Sequence, residues 1–275
     1  MVVNIMTSSR VNFNVKQQIA YVTLNRADKH NGLDKSMIVD LVQVAKRINK
    51  DRSIRCVILQ GAGASFCAGL DFSYVAKNPS IIPKFFLKLP WSKDNMFQRV
   101  AHVWRDLSVP VIAVVHGNCF GGGMQIILAT DYRIATPDSK MSILEMKWGL
   151  IPDMSGMVTL SRLTRVDIAQ ELTMTGRFFS GIEGAEYGLV SKVSENPMAD
   201  AEALANEIAS KSPDAIAATK YLFKKTWKKD TWGALLWERW VQARLLGRKN
   251  QRIAMANGMA KDGKVKTFVD RTSFK

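Results

Sequence analysis

The stretch CFGGGMQIILATD, Cys119–Asp131, sets three consecutive glycines at the head of an apolar run that closes on an acid. Glycines cost backbone entropy that alanines would not, so something must bend this backbone sharply or approach it closely. Upstream, VIAVV (Val111–Val115) follows Pro110 as a buried-strand pattern, and Met124–Ala129 downstream reads as a helix. The local unit is therefore strand, glycine loop, helix. Free N–H groups at the start of such a helix attract an anion. GGG fits neither GxGxxG nor GxxxxGK[ST], so dinucleotide and P-loop readings fall away. The alternative anion is a transient oxyanion on a reacting carbonyl, clamped by two backbone N–H groups from separate loops.

The same unit occurs earlier. RCVILQ (Arg55–Gln60) is a strand pattern that breaks into the loop GAGASFCAGLDF (Gly61–Phe72). Before it, Val11–Val15 and Gln18–Leu24 read as strands joined at Lys16–Gln17, and Asp34 caps a helix with Met37, Leu41, Val44, Ala45 and Ile48 on one face. The repetition predicts stacked α/β units in preference to one alternating sheet. Between the units, Asn78–Asn95 holds three prolines among large apolar residues and reads as a long loop, a lid or a packed insertion. A helix follows over Met96–Leu107. Past about Leu163 the chain reads as helical: a capping box at Ser180–Glu183, amphipathic helices over Ala201–Lys211 and Asp214–Lys225, and one long helix over Ala234–Met255.

Composition bounds the class. The chain has 275 residues, 47% of them hydrophobic, enough for a large core with a smaller appendage. No apolar run approaches the roughly 18 residues of a membrane span, and no basic-then-apolar leader opens the chain, so neither membrane nor secretion is expected. Cys56, Cys67 and Cys119 form neither a disulfide framework nor a metal cluster, which suits a reducing cytoplasm, and the three histidines lack ligand spacing, so no metal is expected. The net charge is +15, and from Ala201 onward 16 Lys/Arg face 7 Asp/Glu. Such a surplus is either solvated helix faces or a site for a polyanion: nucleic acid, an anionic membrane or a nucleotide-bearing small molecule. No RNA-recognition motif is present, so nucleic acid is not favoured.

FCAGLD, HGNCFGGG and LEMKWGLIPD, with LNRADKHNGLD (Leu24–Asp34) before them and the pattern over Leu172–Val190 after, resemble the enoyl-CoA hydratase/isomerase (crotonase) family. The resemblance runs from about Val11 to Val193. It implies an α/β fold, a ββα spiral core over residues 1–195 carrying an acyl-CoA site, with a helical oligomerisation region over 196–275 that builds a homo-trimer or hexamer. It further implies that the backbone amides of Leu70 and Gly122 form an oxyanion hole for a coenzyme A thioester, and that Glu145 is the acid/base. Coenzyme A would be part of the substrate, with no separate cofactor. Substrate and coenzyme A contacts would fall at Arg26, Lys29, Ala64, Phe66, Ala68, Asp71, Gly121, Trp148 and Phe268, with Arg271 or Lys275 near the last.

Gln125 departs from the pattern. Hydratases of the family carry a second glutamate there; glutamine holds a water but takes no proton from it. Asp153, eight residues after Glu145, matches an acid of the dienoyl-CoA isomerases and is either a second proton carrier or a helix cap. Hydration of a 2-enoyl-CoA and double-bond isomerisation of an enoyl- or dienoyl-CoA both stay open. The rival is a non-catalytic acyl-CoA- or RNA-binding protein on the same fold.

Overall fold

The computed structural model describes residues 3–7, 10–88, 90–260 and 265–273. Strands β1 (Val3–Thr7), β2 (Val11–Lys16) and β3 (Ile19–Leu24) form an antiparallel meander. Helix α1 (Lys35–Lys50) then crosses to β4 (Cys56–Gly61), which pairs parallel with β3. The cap is Asp34, whose carboxylate accepts from the Met37 amide at 2.8 Å, and Met37, Ile38, Leu41, Val42, Ala45 and Ile48 are buried along one face. Short helices α2 (Phe72–Lys77) and α3 (Ile81–Phe86) lead to α4 (Met96–Asp106), β5 (Val111–Val115), β6 (Asn118–Phe120) and α5 (Gly122–Leu128). Strands β7 (Tyr132–Ala135) and β8 (Lys140–Ser142) follow, then α6 (Gly156–Leu163), α7 (Val166–Thr175), α8 (Gly181–Glu186) and β9 (Lys192–Val193). Four helices end the fold: α9 (Pro197–Ala209), α10 (Pro213–Thr226), α11 (Thr231–Ala243) and α12 (Lys249–Met259).

The strand–loop–helix units divide their strands between two sheets. A seven-stranded sheet runs β1-β2-β3-β4-β5-β7-β9, parallel from β3 onward, and a small parallel sheet holds β6 and β8. One large sheet thus passes through both units, more continuously than stacked repeats require. Parallel strands are covered on both faces, and the alternation within β4 shows how. Val57 and Leu59 join the main core with α1 and α4, whereas Cys56 and Ile58 face the other way, onto Ala201 and Ala205 of α9.

Three elements differ from expectation. Segment Asn78–Asn95 is not all loop, because Ile81 and Phe85 are buried on one side of α3 and Phe85 meets Phe97 of α4 edge-on at 5.5 Å. The start of α5 lies at Gly122 instead of Met124. The single helix expected over Ala234–Met255 is two: α11 stops at Ala243, and a turn that closes on Gly247 at φ +71° leads the chain into α12.

The segment 265–273 docks back on the start of the fold. Arg271 is buried and donates through Nη2 to the Ile48, Asn49 and Asp51 carbonyls at 3.3, 3.2 and 2.9 Å, closing the C-terminus of α1. Buried Asp214 and Asn250 hold the Thr272 and Val269 amides, at 2.6 and 3.0 Å. Among the described residues, no helix is long and apolar enough to cross a membrane.

Candidate active site

Three of the quoted motifs meet through the small sheet and its flanking bridges. The Cys67 amide donates to the Asn118 carbonyl at 3.0 Å and the Phe120 amide to the Cys67 carbonyl at 2.9 Å, joining FCAGLD to HGNCFGGG. Leu33 of the early motif bridges Leu70 on its other side, with the Leu33 amide donating to Gly69 and the Asp71 amide to Leu33. Buried Asn31 fastens this corner, donating to the Ala62 and Ser65 carbonyls and accepting from the Arg26 amide.

The glycines make the close approach possible. Gly69 has φ +87°, and a Cβ there would lie 2.8 Å from the Phe120 carbonyl oxygen and 3.4 Å from the Gly122 nitrogen. Gly121 has φ +48°, a region that L side chains rarely adopt, and faces Glu145: a Cβ there would sit 3.4 Å from Glu145 Oε1. The chain after Gly69 and the N-terminus of α5 are thereby set side by side. Among the described residues, neither the Leu70 nor the Gly122 amide has a hydrogen-bond acceptor, so both are free donors.

Glu145 lies in the 3-10 turn Leu144–Trp148, between β8 and α6. Fully buried Gln125, on α5, donates through Nε2 to Glu145 Oε1 at 2.6 Å and accepts the Gly156 amide on its own Oε1 at 3.1 Å. The other oxygen of Glu145, Oε2, is enclosed and has no partner among the described residues. Burial raises the Glu145 pKa above the ordinary glutamate value and Asp153's charge adds to the rise, against hydrogen bonds from its own backbone and Gln125. Burial also raises that of Asp153. The N-cap position of α6 is Ser155, and no side chain caps that helix, so Asp153 is not its cap. The two carboxyls are therefore held close enough to feel each other, both poised towards their protonated forms.

Other expected residues are placed variously. Arg26 turns inward, bonding Asp71 Oδ2 at 2.7 Å and the Gly32 carbonyl at 3.0 Å, with Asp34 at 3.7 Å. Asp71 caps α2 through the Tyr74 amide. Burial favours its neutral form, but the Tyr74 amide and Arg26 outweigh that and lower its pKa. Together the pair braces the loop that carries Leu70. The Phe66 side chain is wholly inside the core, leaving only its backbone on the loop, whereas Lys29 and Ala64 are exposed and Ala68 is half-buried. Trp148, expected as a substrate contact, is 48% exposed and stacks on Phe72 at 4.1 Å, a partner that sequence reasoning missed. Phe268 is half-buried, away from any described site contact; Arg271 is committed to α1; Lys275 lies outside the described residues.

An apolar cavity of about 650 Å³ is lined by Met146, Ile151 and Pro152, sequence neighbours of Glu145 and Asp153, and by Met157, Leu160 and Met174 from α6 and α7. A carboxyl pair with raised pKa values and two free amides converging on a helix start together define a site for acid/base work on an electron-rich oxygen.

The sequence model of the enoyl-CoA hydratase/isomerase family matches residues 14–260, and the chain belongs to that family. It is 35% identical to the (E)-benzylidenesuccinyl-CoA hydratase of Thauera aromatica, over 76% of this chain and 80% of that protein. It is 33% identical to the mitochondrial Delta(3,5)-Delta(2,4)-dienoyl-CoA isomerase of Rattus norvegicus, over 74% of this chain and 65% of that protein, just under two thirds of the isomerase's length. The crystal structure of an enoyl-CoA hydratase from Bacillus anthracis superposes with a TM-score of 0.85 at 27% identity, covering 94% of this chain and 98% of that one.

Proposed function

We propose that the chain shifts a double bond in an unsaturated acyl-CoA thioester, with Glu145 as the acid/base and Asp153 as a second proton carrier. The observation that carries this reading is the 2.6 Å bond from Gln125 to Glu145. A carboxamide orients the carboxylate but has no proton to exchange, while Oε2 of the same glutamate is left without a partner. The thioester oxygen would accept from the Leu70 and Gly122 amides. When a proton leaves the α or γ carbon for Glu145, negative charge moves onto that oxygen, where each donor contributes roughly 10²–10³ in rate. Return of a proton at the other carbon, from Glu145 or Asp153, completes the shift. Burial keeps both acids nearer neutrality, as proton transfer in both directions requires.

Hydration of a 2-enoyl-CoA is the second reading, favoured by the 35% identity to a hydratase. Gln125 would then hold the water and Glu145 alone would activate it. In either case the acyl portion would occupy the 650 Å³ cavity, and exposed Lys29 with the backbone of Ala64, Phe66 and Ala68 would meet coenzyme A, which enters as part of the substrate. Assembly into a homo-trimer or hexamer is supported by large apolar side chains exposed on and around α10 and α11, among them Phe223, Trp227, Trp232, Leu235 and Leu236. Three buried free cysteines suit a reducing compartment, the cytoplasm in this reading. A non-catalytic acyl-CoA- or RNA-binding role is not favoured, because it leaves the raised carboxyl pair without a use.

The test is to incubate purified protein separately with 2-enoyl-, 3-enoyl- and dienoyl-CoA and to weigh the products. Isomerisation leaves the mass unchanged while moving the double bond, and hydration adds one water. No conversion of any of the three would refute the proposal.

A further inference from the structure

The segment between α2 and α4 has a pattern that the acyl-CoA site does not use. From Phe72 to Lys93 the chain carries four lysines, Lys77, Lys84, Lys88 and Lys93, and no acid or arginine. Ile82, Phe86, Leu87 and Trp91 alternate with them and are exposed. Trp91 at 82% and Leu87 at 76% are the most exposed large apolar residues among those described, and a cluster of this kind marks a contact surface.

Local geometry accounts for the exposure. Ile81 and Phe85, four positions apart on α3, are buried. Ile82 and Phe86, each one position on, lie about 100° further round the helix axis and come out on its solvent side. Past α3 the Lys88 ammonium donates to the Ser92 carbonyl at 2.9 Å, closing the turn in which Trp91 stands exposed. The inner side is tied down: Phe85 meets Phe97, the Ser92 hydroxyl donates to the Asp94 carbonyl at 2.7 Å, and buried Asp94 pairs with Arg99 of α4. A surface already held in shape loses little entropy when it is covered.

The charges indicate what covers it. Lys93 pairs with Asp106, whereas Lys77, Lys84 and Lys88 meet no carboxylate among the described residues. The acids that bound the segment, Asp71 and Asp94, are taken by Arg26 and Arg99. Contacts between proteins favour arginine and are depleted of lysine; here every cation is a lysine. An anionic bilayer takes this pattern: lysines hold the headgroups by charge, while tryptophan, phenylalanine and leucine enter the boundary beneath them. That no described helix is long and apolar enough to cross a membrane bears on spanning alone.

We propose that this segment docks the protein on the surface of an anionic lipid bilayer, with Phe86, Leu87 and Trp91 entering the headgroup boundary and Lys77, Lys84 and Lys88 holding the headgroups. The contact is peripheral and independent of the reaction read at Glu145.

The test is flotation of the full chain with vesicles of phosphatidylcholine alone, or with a third of it replaced by phosphatidylglycerol. The protein should float with the anionic vesicles only, and less as salt is raised. Lys84→Gln and Lys88→Gln should each weaken the partition about fivefold, and Leu87→Ser roughly tenfold, with Tm unchanged. Lipids brominated on the acyl chain should quench tryptophan emission in the wild type, and Trp91→Phe should lose that quenching while still floating. Lys46→Gln with Lys50→Gln, which removes two exposed lysines of α1, should float as the wild type does. So should Glu145→Gln, which keeps failure of the acyl-CoA reading distinguishable from failure of this one. Flotation with neither vesicle, an equal loss in the α1 variant, or quenching retained in Trp91→Phe would each overturn the proposal. A change of oligomeric state in Leu87→Ser would overturn it too, assigning the face to a second copy of this chain.

Discussion

Replacing Gln125 by glutamate converts the donor that now holds Glu145 into a second acceptor at the same place. The Gln125 Nε2 to Glu145 Oε1 separation is 2.6 Å, and two carboxylates in that position repel by about 4 kcal/mol if their charge centres lie roughly 4 Å apart at an effective dielectric of about 20. That is about three pK units of coupling, so the pair should keep one shared proton near neutrality and titrate in two steps that belong to the pair. The Gly156 amide keeps its acceptor in the variant, so the backbone contact at 3.1 Å survives. The direction of the stability change follows. A carboxyl whose folded pKa exceeds its unfolded value near 4.3 binds more protons folded than unfolded. Stability therefore falls as pH rises from the unfolded pKa through the folded one, and the variant should show a steeper decline in Tm over that window than the wild type. The new carboxyl also supplies the proton exchange that glutamine lacks, so the ratio of hydrated to isomerised product should rise. A Tm–pH curve parallel to the wild type together with an unchanged product ratio would refute the reasoning.

Two further substitutions probe other links. Glu145→Gln should lower turnover by roughly 10²–10⁴ while acyl-CoA binding is kept, the usual range for a lost acid/base. Because the lost carboxyl has a raised pKa and opposes folding once ionised, the variant should melt at or above the wild-type temperature at pH 7; a variant that turns over normally would remove Glu145 from its role. Arg271→Ala removes three hydrogen bonds from α1 and should cost at least about 2 kcal/mol in urea unfolding. Turnover per folded molecule should stay near wild type, and a matching loss of activity would place Arg271 in the site after all.

What the chain announces by itself is local. Asp34 and the one-sided pattern after it are readable because a cap and its helix are neighbours in sequence, and RCVILQ and VIAVV are readable because buried parallel strands are continuous apolar runs. Gly247 sits inside an amphipathic pattern that continues on both sides, so only its left-handed conformation reveals the break. The order of motifs identifies the resemblance, but the contacts that give those motifs meaning are tertiary. Arg26 looks like a free basic side chain until Asp71, 45 positions away, is brought to it. Phe66 looks like a loop residue until the loop folds over it. Gln125 is visible as a departure, yet that its amide faces Glu145, and that its oxygen holds α6, follows only from the packing of α5 against that helix.

The closure of α1 by Arg271 also bears on the order in which the chain acquires its structure. The helix is complete in sequence at Lys50, but its last carbonyls meet their donor across 220 residues, from Asp51 to Arg271. A chain growing from its N-terminus at about 5–20 residues per second makes α1 and the meander at least ten seconds before that donor exists. Through that interval the end of α1 is finished by water. The final latch of the first helix is among the last interactions this polypeptide can form, so a truncation shortly before Arg271 should spare the site's residues while leaving the earliest helix permanently unlatched.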